Sequence, residues 1–206
     1  MRSMSSKLSS EFYQRNHVTD IAKELLGKQL VTNINGELTG GIIVETEAYN
    51  GITDRASHAF GGRLTERTKT MYEAGGVSYV YLCYGIHYLF NVVTGQKDIP
   101  HAVLIRGIEP TIGVDIMLER RNMTTVKPTL SAGPGVLSKA LGITKELNAK
   151  SLLDEEIWIE DIGYDLATHK MIECERIGVA YAKEDALLPW RYYLKGNRFV
   201  SKPNNL

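Results

Sequence analysis

The sequence predicts a single mixed α+β domain, and three observations carry that prediction. Short runs rich in Val, Ile, Tyr and Leu have the look of strands bounded by turn residues. Other stretches show the rough 3.6-residue apolar period of helices. No repeat, low-complexity tract or linker divides the 206 residues, a length at which one domain buries roughly 70% of its unfolded surface. The expected sheet is largely antiparallel with helices around it.

Residues 1–9 are polar, lack the apolar stretch of a signal peptide and are expected to form a disordered tail ahead of a domain at 10–206. Ser10 to Leu26 reads as one helix, with Phe12, Ile21, Leu25 and Leu26 on its apolar stripe and Gly27 as its stop. Strands are expected at Gln29 to Ile34 and Leu38 to Tyr49, joined by Asn35-Gly36, a strong hairpin signal. Residues 50 to 76, rich in Gly, Thr, Ser and Arg, read as a long surface loop, and such loops tend to be functional. Ser78 to Cys83 and Tyr88 to Thr94 form the next strand pair around Tyr84-Gly85-Ile86-His87, and Ala102 to Gly107 is a further strand. Thr111 to Arg121 and Val136 to Leu141 suit helices, the second behind the Gly133-Pro134-Gly135 corner. Glu156 to Ile162, Arg176 to Tyr181 and Trp190 to Leu194 complete the strands.

The formal net charge is zero, which argues against a protein that coats nucleic acid by bulk electrostatics. The charges are unevenly placed. Residues 118–150 carry six basic side chains against two acids, 151–176 carry eight acids against two bases, and 177–206 five bases against two acids. Such alternation permits a basic face on a neutral protein. The two cysteines, Cys83 and Cys174, have no C-x-x-C spacing and are expected to be reduced thiols in a cytosolic compartment. No cluster has metal-ligand spacing, so neither metal nor cofactor is expected. No apolar run approaches a membrane span.

Two constellations carry chemistry. In Val44-Glu45-Thr46-Glu47-Ala48-Tyr49, alternate side chains share a face, so Glu45, Glu47 and Tyr49 point together. Because the strand ends at a Gly-containing loop, either a carboxylate sits at a cavity rim, able to deprotonate water, or the strand end is simply polar and solvent-facing. In Tyr79-Val80-Tyr81-Leu82-Cys83-Tyr84-Gly85, the tip aromatic Tyr84 is poorly placed for a core and well placed to wedge between stacked bases. Each base–aromatic stack is worth roughly 1–3 kcal/mol, against a few for extruding a nucleotide. The plain reading, an aromatic-rich strand pair, suits Tyr79 and Tyr88.

These residues resemble the alkyladenine (3-methyladenine, methylpurine) DNA glycosylase family. The resemblance runs through Glu45-Thr46-Glu47-Ala48-Tyr49, Ala56-Ser57-His58, Gly61-Gly62-Arg63, Tyr79-Val80-Tyr81, Tyr84-Gly85, Asn91 and Val103 to Pro110. It continues more loosely in Ser131-Ala132-Gly133-Pro134 and Arg176-Ile177-Gly178-Val179, covering about residues 10 to 200. It implies a curved antiparallel sheet with a protruding, DNA-intercalating β-hairpin. Glu47 matches the general base that activates water, and Arg106 the arginine that helps hold water and carboxylate. The main-chain carbonyl near Val179 matches the completion of the water site, although Ala180 stands where the family has glycine. Tyr49, His58 and Tyr81 match the aromatic walls around a flipped base, Tyr84 the side chain that fills the gap in the duplex, and Asn91 the residue that disfavours the amino group of normal guanine.

The implied activity is that of a monofunctional glycosylase acting on alkylated or deaminated purines in damaged double-stranded DNA, as a cytoplasmic monomer (nucleoid-associated if bacterial). An anionic group and an aligned water suit an oxocarbenium-like sugar, and no Lys in the matched motifs suggests a Schiff base. The alternative is a non-catalytic nucleic-acid-binding module of the same fold. A glycoside hydrolase using Glu45 and Glu47 as a pair fits poorly, since side-by-side acids do not flank a scissile bond. Gly133-Pro134-Gly135 reads as a plain turn or a phosphate-facing corner, and Arg63, Arg67 and Lys69 as phosphate contacts or solvated charge.

Overall fold

A computed structural model describes residues 5–203. Among the described residues, nine strands form one antiparallel sheet: β1 (Ser6–Lys7), β2 (Gln29–Ile34), β3 (Glu37–Tyr49), β4 (Ser78–Cys83), β5 (His87–Thr94), β6 (His101–Ile112), β7 (Ile157–Asp161), β8 (Met171–Cys174) and β9 (Arg191–Leu194). The main path runs β1-β7-β2-β3-β6-β5-β4, and β9 joins β3 to β8. Four short helices pack around it: α1 (Ser10–Tyr13), α2 (Val18–Glu24), α3 (Val114–Arg120) and α4 (Pro134–Ala140).

β3 is the organising strand. Its first half pairs with β2 and its Glu45–Glu47 segment with β9, while β6 runs along its other edge. The β3–β6 register slips between Gly40 and Gly41 and on both sides of Glu45. Each slip bends the strand and sharpens its twist, so the sheet curls. Two glycines permit the close approach there: a Cβ on Gly41 would meet the Glu109 carbonyl at 2.6 Å, and one on Gly107 the Phe199 carbonyl at 2.5 Å. The core of Ile21, Leu25, Ile43, Val44, Phe90, Ile105 and Leu137 lies between the sheet and α2, α3 and α4.

The expected helix over 10–26 is two helices, because residues 14–17 leave helical geometry to let the Tyr13 carbonyl accept from Gly95. The helix expected from Thr111 starts at Val114, since Thr111 and Ile112 extend β6. The strand expected at Arg176 to Tyr181 is a loop leading into a 3-10 segment, Ala180–Leu187. There the Ile177 N–H turns to a side-chain carboxylate instead of a neighbouring strand. Met171–Cys174 takes the strand position instead. Of the expected tail, residues 1–4 lie outside the described residues, and Ser6–Lys7 pairs with Glu160–Asp161 of β7. The long loop after Tyr49 is organised by three 3-10 turns, Gly51–Thr53, Phe60–Gly62 and Lys69–Tyr72.

Candidate active site

The bulges around Glu45 bring two of the three acids of β3 into the interior: Glu45 and Glu47 are each 0% exposed. Neither sits at a rim, and a solvent-facing strand end is excluded. Buried charge demands partners, and the two carboxylates have different sets.

Glu45 is saturated. Its Oε1 accepts from Arg106 Nε at 3.1 Å, Arg191 Nε at 2.7 Å and Ser201 Oγ at 2.9 Å, and its Oε2 accepts from the Ser201 N–H at 2.6 Å. Glu47 Oε2 accepts from the Tyr49 hydroxyl at 2.7 Å, while Oε1 accepts from the Ile177 N–H at 2.7 Å and lies 3.5 Å from Arg106 Nη1. Arg106 therefore spans both acids. Burial works against its charge, but Glu47 and Glu45 outweigh that and hold the guanidinium above the ordinary arginine value. Burial and the Glu47 charge push the Tyr49 phenol well above its ordinary value, so it stays a donor. Tyr49, Arg106 and Ile177 all line one open groove, and Glu47 sits directly beneath them.

A buried bidentate pair fixes the outer wall. Arg176 Nη1 and Nη2 donate to Asp54 Oδ2 and Oδ1 at 2.5 and 2.9 Å, and Nη1 also donates to the Ala48 carbonyl. The same guanidinium stacks over Tyr49, 4.9 Å from its ring centre. Asp54 thus ties the start of the long loop to the segment that carries Ile177 and Val179.

A narrow cavity of ≈ 340 Å³, mouth included, lies between Tyr49, His58 and Tyr81, with Asn91, Met71 and Tyr79 among its other walls. It adjoins the open groove, ≈ 1400 Å³ out to solvent, which also touches Tyr84, Arg106, Val179 and the Gly133-Pro134-Gly135 corner. The His58 and Tyr81 rings meet edge to face at 4.7 Å. Arg67 Nη2 lies 3.3 Å from His58 Nε2 and its guanidinium sits 4.9 Å above the Tyr81 ring. A guanidinium only donates, so Nε2 accepts and the His58 proton is on Nδ1, directed at the Tyr79 hydroxyl 2.9 Å away. Burial, then Arg67 and Arg63, lower the His58 pKa to about 4, which leaves the ring neutral near pH 7. Asn91 donates from Nδ2 to the Tyr79 carbonyl at 3.1 Å, which fixes its amide in the cavity wall.

Tyr84 lies at the tip of the β4–β5 hairpin, 93% exposed and with φ +50. A left-handed backbone costs a non-glycine residue roughly 1–2 kcal/mol, and a tyrosine contributing nothing to the core does not recover it there. Leu82 and Ile86 are exposed beside it.

The sequence-predicted residues thus gather in two adjoining spaces: Tyr49, His58, Tyr81 and Asn91 around the narrow one, Arg106, Val179 and Tyr84 along the groove, with Glu47 beneath. Sequence reasoning missed four contributors. Tyr79 belongs to an aromatic-rich strand pair as expected, yet it also walls the cavity, and its shared face with Tyr81 carried that signal. The hub role of Glu45, the Ile177 N–H and the Asp54–Arg176 pair depend on long-range contacts that left no local mark.

Residues 11–198 match the family model for methylpurine-DNA glycosylase. A protein of Clostridium perfringens (strain 13 / Type A), provisionally named a 3-methyladenine DNA glycosylase, is 45% identical over 204 residues, covering 95% of this chain and 99% of the relative. Relatives with the same provisional name come from Chlamydia felis (strain Fe/C-56), 47% identical over 91% of this chain and 95% of the relative, and Natranaerobius thermophilus, 45% identical over 95% and 98%. With the match spanning fold and cleft alike, this chain belongs to the methylpurine-DNA glycosylase family.

Proposed function

We propose that the protein is a monofunctional DNA glycosylase that everts alkylated or deaminated purines from duplex DNA and hydrolyses their N-glycosidic bond. The observation that carries the reading is the carboxylate of Glu47, fully buried yet directly below an aromatic-walled cleft and held by Tyr49, Ile177 and Arg106.

In the proposed reaction, Tyr84 fills the gap in the duplex and the base lies among Tyr49, His58 and Tyr81. The bond between the purine nitrogen and C1′ breaks with its electron pair moving to the base. Water adds to C1′, and Glu47 takes its proton while its charge offsets the cationic sugar. Such a base is worth about 10²–10⁴ in rate. An N-alkylated purine departs neutral. A neutral lesion such as hypoxanthine departs carrying the electron pair as negative charge until it gains a proton. Asn91 stands where the amino group of guanine would have to fit. Arg106 and Tyr49 keep Glu47 oriented, and the main chain at Val179 borders the same groove.

Two features support Glu47 over Glu45 as the base. Glu45 is fully engaged by two arginines and Ser201, and it reaches the cleft lining through Arg106 alone, whereas Glu47 is bonded to Tyr49 and Ile177 as well. The test is release of base from duplexes bearing hypoxanthine, ethenoadenine or 7-methylguanine, read as alkali-labile sites. The wild-type protein should open at least one, and Glu47→Gln should bind the lesion while losing about 10²–10⁴ in single-turnover rate. Lesion binding with no cleavage by folded wild-type protein would make it a binding module instead.

A further inference from the structure

The cleft carries a permanent positive charge that the proposed chemistry does not use. Arg67 lies in the loop after Tyr49 and contacts two of the three aromatic walls at once, His58 by hydrogen bond and Tyr81 by its ring face. Its neighbour His58 adds no charge of its own near pH 7.

Resting on the glycosylase reading, we propose that Arg67 is a specificity-determining residue that biases the cleft toward neutral lesions and away from cationic N-alkylpurines. Two effects of the same charge act together. A cationic base gains from stacking because the ring faces are electron-rich. Arg67 already draws on the Tyr81 π-system and repels a second cation brought against that ring. A neutral purine meets no such repulsion. When its glycosidic bond breaks without a proton supplied, negative charge develops on the base, and a nearby guanidinium stabilises it. Removing the charge therefore moves the two substrate classes in opposite directions.

The size follows from distance and screening. Arg67 is exposed and lies 4.9 Å from the Tyr81 ring centre, so a base stacked on the far side is several ångströms further away. With an effective dielectric between those of a protein surface and of bulk water, and ordinary salt, the expected effect on the substrate ratio is roughly three- to tenfold.

The experiment compares wild type, Arg67→Met and Arg67→Lys in single-turnover excision of 7-methylguanine and of hypoxanthine from the same duplex context. Arg67→Met should raise the ratio of 7-methylguanine to hypoxanthine rates by roughly three- to tenfold, and Arg67→Lys should hold it within about twofold of wild type. If Arg67→Met slows both lesions equally and flattens the salt dependence of binding, Arg67 is a phosphate contact and the proposal falls. It also falls if Arg67→Lys shifts the ratio as far as Arg67→Met does, since shape rather than charge would then decide. Wild-type protein that excises neither base would overturn the glycosylase reading itself, a result visible before either variant is compared.

Discussion

Tyr49 and Glu47 lie two residues apart on β3, and the phenol of the first donates to the carboxylate of the second at 2.7 Å. The ring that walls the cavity is therefore also a hydrogen bond to the buried acid. Tyr49→Phe separates those roles, keeping the wall and deleting the donor. We expect single-turnover excision to fall about tenfold, with lesion binding changed by less than about threefold. An unchanged excision rate would show that the phenol does not hold the acid for catalysis.

The buried pair Asp54–Arg176 governs stability. Asp54→Ala leaves the buried Arg176 guanidinium without its bonded carboxylate, which costs about 3–5 kcal/mol. Urea unfolding should register this as a lower midpoint at unchanged slope. Because the same pair anchors the segment bearing Ile177, excision should fall further than Tyr49→Phe lowers it. A midpoint equal to wild type would mean that the pair adds nothing net.

His58 links the cleft to acid sensitivity. Its folded pKa, about 4, lies below the ordinary 6.5, chiefly through burial and then through Arg67 and Arg63. The unfolded chain binds a proton that the folded chain refuses, so this contribution is complete above pH 6.5 and is lost as pH falls toward 4. His58→Gln should flatten the pH dependence of the urea midpoint over that window. Parallel curves for the two proteins would assign the acid sensitivity elsewhere.

Much of the frame was legible in the sequence because its signals are local. Asn35 and Gly36 take φ values of +55 and +84, the left-handed pair that an Asn-Gly hairpin requires. Glu45, Glu47 and Tyr49 announced a shared face by spacing alone. What stayed hidden is non-local. The bulges that bury both acids arise from pairing with β6. The break after Tyr13 serves a hydrogen bond to Gly95, and the strand expected at Arg176 gives way to contacts with Asp54 and Glu47 from 122 and 130 residues away. Arg106 could be assigned to Glu47 by resemblance, but its second grip on Glu45 belongs to the fold.

Tyr84 carries the last prediction. Asn tolerates the left-handed region better than Tyr does, so Tyr84→Asn should raise the melting temperature slightly, by roughly 0.5–1 kcal/mol of relieved strain. Capture of the everted nucleotide, followed by fluorescence of ethenoadenine in duplex DNA, should weaken at least tenfold. Equal capture would remove Tyr84 from the DNA-binding surface.

The grip of Ser201 on Glu45 joins the chain's far end to its third strand, 156 residues earlier. Synthesis runs from the N-terminus, so a growing chain presents Glu45, Arg106 and Arg191 to one another before anything can close over them. A fragment ending between residues 195 and 200 contains every strand described above yet lacks that closure. The charge hub behind Glu47 is therefore completed only once residue 201 has been made.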